Sequence, residues 1–328
     1  MEKNYNLQVL RGIACIFVCL NHFTFFNKYG FGSAGVEVFL ILSGYLTIFN
    51  YYKKGGNLSD HYLKRKFITI LPMYWILTVL VYIVGLIIPS IFNTLDFSFK
   101  NLIYSLLLIP GKTPFIPPGW TLTYIFYFYI IVYLCNSCFK QIRLETKITI
   151  WIVLAIIVSF IIHNEFVISL NSPIMIEFVY GFILYRIKDL KFTSNNKIIT
   201  SFISIMLVLI FFFPGLRLFF QNTILDCRFI IQALITTVLI KGFLDVDLSG
   251  LKSSHLKMIG DISFTIYLAH VLIIRPFDKI ARIFKIDTSF VMLLMIPICL
   301  FFVVIICKYI DLINKKICIY LNRINMVG

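Results

Sequence analysis

Arg11 and His22 lie eleven residues apart in an apolar stretch. On an α-helix, eleven steps of 100° end about 20° past three full turns and about 16 Å further along the axis. Both side chains therefore point the same way, one near each end of a membrane-length helix. Ionisable groups inside lipid are costly and ordinarily face the bundle interior or a water-filled cavity. A guanidinium stays charged and grips phosphate in a fork. An imidazole exchanges its proton near neutral pH. Spacing alone also fits an arginine at a helix end and a packed histidine, and both readings stand at this point.

Other residues repeat the pattern of reactive chemistry in apolar surroundings. Ser263, Tyr267 and His270 fall at i, i+4 and i+7, so they share one helix face. Such a face is expected to look into the bundle, either toward a ligand or toward a neighbouring helix. Glu177 follows Pro173, which starts a helix, and precedes Gly181 by about one turn. That face permits close backbone approach, and its carboxylate is either a reactive group or a hydrogen-bond acceptor. Glu37 is a second intramembrane carboxylate. Trp120 stands at the start of an apolar run, where an indole either stacks on a sugar or belongs to the interfacial aromatic belt.

The elements that must position these groups are membrane spans. Of 328 residues, 60% are hydrophobic and 14% charged, against about 25% charged in soluble domains. The mean hydropathy is +0.92. The expected fold is all-α and integral to the membrane, a single transmembrane domain over 1–328 with no separate soluble domain. Ten spans are read, at about 8–27, 34–52, 67–89, 117–138, 148–163, 173–187, 198–213, 225–244, 256–274 and 289–310. Residues 101–110 form a short re-entrant or interfacial helix. Most of the 30 Lys and Arg residues fall on one side if both termini are cytoplasmic, as the positive-inside rule requires. A notable remainder on the outer side clusters in 275–285. In this topology His22, Glu37, Glu177 and His270 lie toward the outer ends of their spans, and Arg11 belongs to the inner half. The net charge of +15 is explained by cytoplasmic loops, and no nucleic acid partner is expected. The eight cysteines mostly fall in apolar spans as small hydrophobes, and no metal site is expected.

Five segments together resemble the membrane-bound acyltransferase family 3. Leu10-Arg11-Gly12-Ile13-Ala14 followed by Asn21-His22 is similar to the family's Arg/Lys-x10-His signature. Gly35 to Tyr45, with Glu37 and Ser43-Gly44-Tyr45, resembles its second-helix motif. Lys64-Arg65-Lys66 leading to Leu71-Pro72-Met73-Tyr74-Trp75 resembles its basic loop entering the third helix. Asn171-Ser172-Pro173 with Glu177-Phe178 and Gly181 resembles its Pro-x3-Glu-Phe-x2-Gly segment. Gly260 to His270 resembles its Gly-x-x-Ser-x-x-x-Tyr-Leu-x-His helix. The resemblance runs from residue 10 to about 275. Two positions depart from it: Thr69 replaces a frequent second Arg, and Ile125 stands where many members carry Glu.

The resemblance implies an O-acyltransferase that moves an acyl group from cytoplasmic acyl-CoA to a hydroxyl of an exported or cell-surface polysaccharide or glycolipid. Acetyl-CoA is the expected donor substrate, with succinyl or another short acyl group second. No permanently bound cofactor is implied. The expected location is the bacterial cytoplasmic membrane. Acyl transfer needs a base for the hydroxyl and stabilisation of the developing oxyanion. His22 is the expected base or transient acyl carrier, with Glu37 or Glu177 orienting it and His270 assisting. Arg11 and Lys66 would receive the donor's phosphates, and Ser263, Tyr267 and Trp120 would contact substrate. A transporter or flippase for a lipid-linked glycan or for the acyl donor is the alternative. A glycan polymerase ranks third, because it is expected to carry larger external loops.

Overall fold

The computed structural model describes residues 5–23, 31–58, 61–88, 95–138, 140–162, 164–190, 228–245, 254–283 and 289–324. All regular elements among them are helical: α1 Tyr5–Asn21, α2 Phe31–Lys53, α3 Tyr62–Ile87, α4 Phe99–Leu106, α5 Gly119–Ser137, α6 Leu144–Ile161, α7 Glu165–Leu170, α8 Ile176–Arg186, α9 Arg228–Asp245, α10 Ser254–Asp261, α11 Ser263–Ile283 and α12 Ser289–Ile324. A short 3-10 turn, Pro173–Met175, joins α7 to α8.

Six described helical segments are long and apolar enough to cross a membrane: Ala34–Lys53, Tyr62–Ile87, Gly119–Ser137, Leu144–Ile161, Glu165–Arg186 and Met295–Leu321. The bent pair α10–α11 makes a seventh if it is one span. The protein is therefore a multi-pass membrane protein. α1 is apolar but shorter, with 17 residues. α9 is apolar over most of its length but carries Arg228, Lys241 and Asp245, so it falls outside the six. The span expected at 198–213 lies outside the described residues.

Three expected boundaries need correction. The span at 256–274 is not one straight helix, because its axis turns by 85° between Asp261 and Ser263. The span at 173–187 begins earlier, at Glu165, which moves Glu177 from its outer part to its middle. α1 ends at Asn21, before the expected 27. His22 follows in a tightened turn, its N–H donating to the Cys19 carbonyl at 3.1 Å.

The chain divides into two compact units. One comprises 1–58, 135–158 and 171–263, and the other 59–134, 159–170 and 264–328. In the first unit α1, α2, α8 and α10 pack through glycines, and α9 packs against α8 and α2. A Cβ on Gly44 would strike the Phe178 carbonyl, and one on Gly181 would strike the Ile41 carbonyl, so α2 and α8 touch backbone to backbone. Gly12 and Gly260 do the same for α1 and α10: a Cβ on Gly12 would lie 2.5 Å from the Leu256 carbonyl, and one on Gly260 would overlap the Gln8 carbonyl. Small residues are what membrane helices use to approach closely, because lipid offers no hydrophobic drive to bring them together. Around these crossings Leu7, Leu10, Ile41, Leu42, Tyr45, Leu184, Ala233 and Ile240 form a buried cluster.

In the second unit α3 packs against α4 and α12. The Tyr74 hydroxyl donates to the Ser105 carbonyl at 2.8 Å, and the Trp75 indole N–H to the Leu106 carbonyl at 2.9 Å. Pro72 lies within α3, at a depth where neighbouring helices tolerate it.

Candidate functional site

The first unit holds Arg11, His22, Glu37, Glu177 and Ser263. Helix register fixes their levels. Gly35 of α2 meets Ala14 and Val18 of α1, while Ile41, Leu42 and Tyr45 share a cluster with Leu7 and Leu10. The two helices thus run antiparallel, and Glu37 stands opposite the stretch of α1 between Arg11 and His22. Ser263 stands beside the same stretch, because the Cys15 thiol approaches its carbonyl at 3.5 Å. Arg11 and His22 are half-buried. Glu37, Glu177 and Ser263 are buried.

Of the two carboxylates, Glu177 differs from the sequence expectation in its place along the span. Glu37 accepts a hydrogen bond at 2.8 Å from the Thr236 hydroxyl of α9, which anchors it to a helix the motifs do not include. Glu177 lies in the first turn of α8, adjacent to Phe178 at the α2–α8 crossing. Glu37 stands three residues into its span, Ala34–Lys53, as expected, whereas Glu177 stands in the middle of Glu165–Arg186.

Ser263 begins α11, immediately after the 85° bend. Its side chain is fully buried, and its hydroxyl has no hydrogen-bond partner among the described residues. A buried hydroxyl left unmatched costs about 1–3 kcal/mol, so this position is suited to a ligand's polar atom.

The second unit holds Lys66, Trp120, Tyr267 and His270. The Nδ1 of His270 is 2.9 Å from the Ile266 carbonyl. A carbonyl can only accept, so Nδ1 carries the hydrogen and the neutral ring keeps its lone pair on Nε2. His270 is therefore set as an acceptor through Nε2. Tyr267 meets a neighbouring helix, one of the two readings open for its face. The Thr121 hydroxyl donates to the Pro118 carbonyl at 2.8 Å and lies 2.5 Å from the Tyr267 hydroxyl. With its own hydrogen used, Thr121 accepts from Tyr267. The phenolic hydrogen thus holds α11 against α5 and is not aimed at an oxyanion. Lys66 sits 4.0 Å from the Tyr129 ring centroid and 5.7 Å from that of Tyr62, a cation–π placement that fixes α3 against α5.

Trp120 is 44% exposed and packs edge-on to Tyr124 at 6.0 Å. It lines a cavity of about 460 Å³ with Lys112, Thr123, Ser169 and Arg275.

Sequence reasoning missed a polar cluster at the end of the first unit where α1 begins and α2, α8 and α9 finish. The Tyr52 hydroxyl donates to Glu145 at 2.9 Å, and Arg186 pairs with the same carboxylate. Lys241, only 2% exposed, pairs with Asp245 at 2.6 Å and donates to the Lys188 carbonyl at 3.1 Å. Asn6 donates to the Leu244 carbonyl at 3.3 Å. The available signal was the i, i+4 spacing of Lys241 and Asp245.

Comparison with known proteins agrees with the motif reading. The family model described as "Acyltransferase domain" matches residues 4–311. The exopolysaccharide production protein ExoZ of Rhizobium meliloti (strain 1021) is 22% identical over 174 residues, half of this chain and 51% of that protein. The chain thus matches about half the length of this curated relative. No solved structure matches.

Proposed function

This chain belongs to the acyltransferase family whose domain spans residues 4–311, and from that premise we propose that it moves an acyl group, most simply acetyl, from cytoplasmic acyl-CoA to a hydroxyl of an exported polysaccharide. The polysaccharide acceptor rests on the similarity to a protein of exopolysaccharide production. The proposed topology has ten spans with both termini on the cytoplasmic face of the bacterial inner membrane.

The observation that carries the mechanism is that three motifs and the Gly260–Ser263 start of a fourth share one glycine-packed unit. Glu37 and the unmatched Ser263 stand beside α1 between Arg11 and His22. A long thin donor lying along this stretch would have its phosphates at Arg11 and its thioester toward His22. Ser263 would donate to a polar atom of the donor. His22 would take the proton of the acceptor hydroxyl as its oxygen attacks the thioester carbonyl. A C–O bond forms, the C–S bond breaks, and the leaving thiolate recovers the proton from the imidazolium. In the second route His22 itself is acylated first. His270 is assigned a part in transfer by its place in the motif.

The test is transfer of label from acetyl-CoA to isolated surface polysaccharide by the purified protein in nanodiscs. Loss of transfer in folded His22→Ala, with acceptor-dependent transfer intact in the wild type, supports the reading. Glycan translocation without any label transfer, over a panel of acyl donors and native acceptors, would establish the transporter instead.

A further inference from the structure

The cavity beside Trp120 lies wholly within the second unit, and its construction is unusual for an apolar bundle. One wall is the Pro- and Gly-rich segment after α4. This wall is held by its backbone: Gly111 takes φ +77° and Leu108 φ +53°, the latter uncommon for a residue with a side chain. The Phe115 N–H donates to the Ser105 hydroxyl at 3.0 Å. Phe115 is buried and stacks on Tyr82 at 5.7 Å. The opposite wall is α5 with Trp120, Thr123 and Tyr124, closed by Ser169 and by Arg275 of α11.

The lining chemistry is specific. Two aromatic rings supply flat apolar faces, Thr123 and Ser169 supply hydroxyls, and Lys112 and Arg275 supply two cations. Among the described residues that line the cavity there is no Asp or Glu. Asp96, the carboxylate nearest in sequence to the lining Leu95, is engaged by the Asn101 side-chain amide at 2.8 Å and the Ser98 N–H at 3.1 Å. About 460 Å³ is within the range of small-ligand sites, roughly 300–1,000 Å³. The cavity also adjoins the residues placed at the acceptor end. Trp120 precedes Thr121, which accepts from Tyr267. Arg275 follows His270 by five residues on one helix, about 7.5 Å along its axis.

We propose that this cavity binds the acceptor saccharide and selects an acidic one, stacking a sugar ring on Trp120 and holding a neighbouring carboxylate between Lys112 and Arg275. The inference rests on the acyltransferase reading for the word acceptor, but the binding itself needs no donor and is measured without one.

The experiment is titration calorimetry of the full chain in phosphatidylcholine nanodiscs with two disaccharides, glucuronosyl-glucose and its neutral glucosyl-glucose counterpart. The acidic sugar should bind about tenfold tighter, the size expected of one charge-assisted contact. The ratio should fall to about one in Lys112→Gln/Arg275→Gln, survive in Arg275→Lys, and both affinities should weaken in Trp120→Ala. Equal affinity of the two sugars for the wild type would overturn the proposal, as would a ratio unchanged in the double variant. Loss of saccharide binding when phosphatidylglycerol is added to the disc would assign the cations to a lipid headgroup and also overturn it. Intact sugar discrimination with no acyl transfer would refute the transferase reading alone. Transfer without discrimination would refute this inference alone.

Discussion

The hydrogen atoms in the site can be assigned from who is able to donate, and this separates residues that sequence pattern treats alike. Tyr267 and His270 share a helix face, yet the Tyr267 hydrogen is spent on Thr121 while His270 keeps a lone pair on Nε2. Tyr267→Phe should therefore act through stability. It removes one hydrogen bond between α5 and α11, costing about 1 kcal/mol, and leaves transfer largely intact. His270→Gln should depress transfer while leaving the melting temperature close to that of wild type. Thermal unfolding and label transfer on the same preparations distinguish the two. Ser263→Ala is expected to leave folding unharmed or improved, because its hydroxyl has no protein partner among the described residues, and to raise the KM for acyl-CoA several-fold. A KM unchanged by Ser263→Ala would remove the serine from the donor site. The residue types of the candidate site were read from spacing and motif alone. The contacts of Tyr267 and Lys66 were not legible there, because their partners, Thr121 and Tyr129, lie 146 and 63 positions away in the chain.

Elements carry the second part of the explanation. Helices α1, α2, α8 and α10 touch through Gly12, Gly44, Gly181 and Gly260, and these contacts set the register of the helices that carry Arg11, Glu37 and Glu177. Gly181→Ala should push α8 off α2 and destabilise the protein by about 1–3 kcal/mol, the usual cost of overpacking. Gly242→Ala is the internal control. A Cβ there meets nothing within 4 Å, and Ala favours a helix over Gly by up to about 1 kcal/mol. Unfolding curves in detergent should move in opposite directions for the two variants. Hydropathy located most of these helices but misjudged three features. It drew a straight span across Ile262, where the axis turns by 85°, since a window average is blind to direction. It started the sixth span late, because the polar run Asn171-Ser172-Pro173 lowers the local average inside one crossing. It ran α1 past Asn21, where the His22 and Phe23 amides bond three residues back, to Cys19 and Leu20.

At the scale of the whole molecule, the protein is a multi-pass membrane chain whose candidate site residues are divided between two compact units. The span α5 separates two exposed positions, Lys112 before it and Cys138 after it. In the proposed topology Cys138 faces the cytoplasm and Lys112 the outside. Single-cysteine variants at 138 and 112 should therefore react with an impermeant maleimide from opposite sides of sealed vesicles, and labelling from one side would contradict the topology. The fold class followed from composition, because 14% charge leaves no soluble surface to build. The cavity at Trp120 was not foreseen, since Ser169 and Arg275, which close it, lie far along the chain from its loop wall. Its trace in the sequence was the cluster of outer-side cations beginning at Arg275.

One measurement bears most directly on the central claim that His22 carries the chemistry and Arg11 the donor. Steady-state transfer of labelled acetyl from acetyl-CoA to surface polysaccharide would be followed for wild type, His22→Ala and Arg11→Ala in nanodiscs, with folding verified for each. The account predicts that kcat falls below detection in His22→Ala, and that the KM for acetyl-CoA rises at least about tenfold in Arg11→Ala with a smaller loss of kcat, as expected when a charge-assisted contact to bound donor is removed. A folded His22→Ala protein that transfers label at the wild-type rate would contradict it.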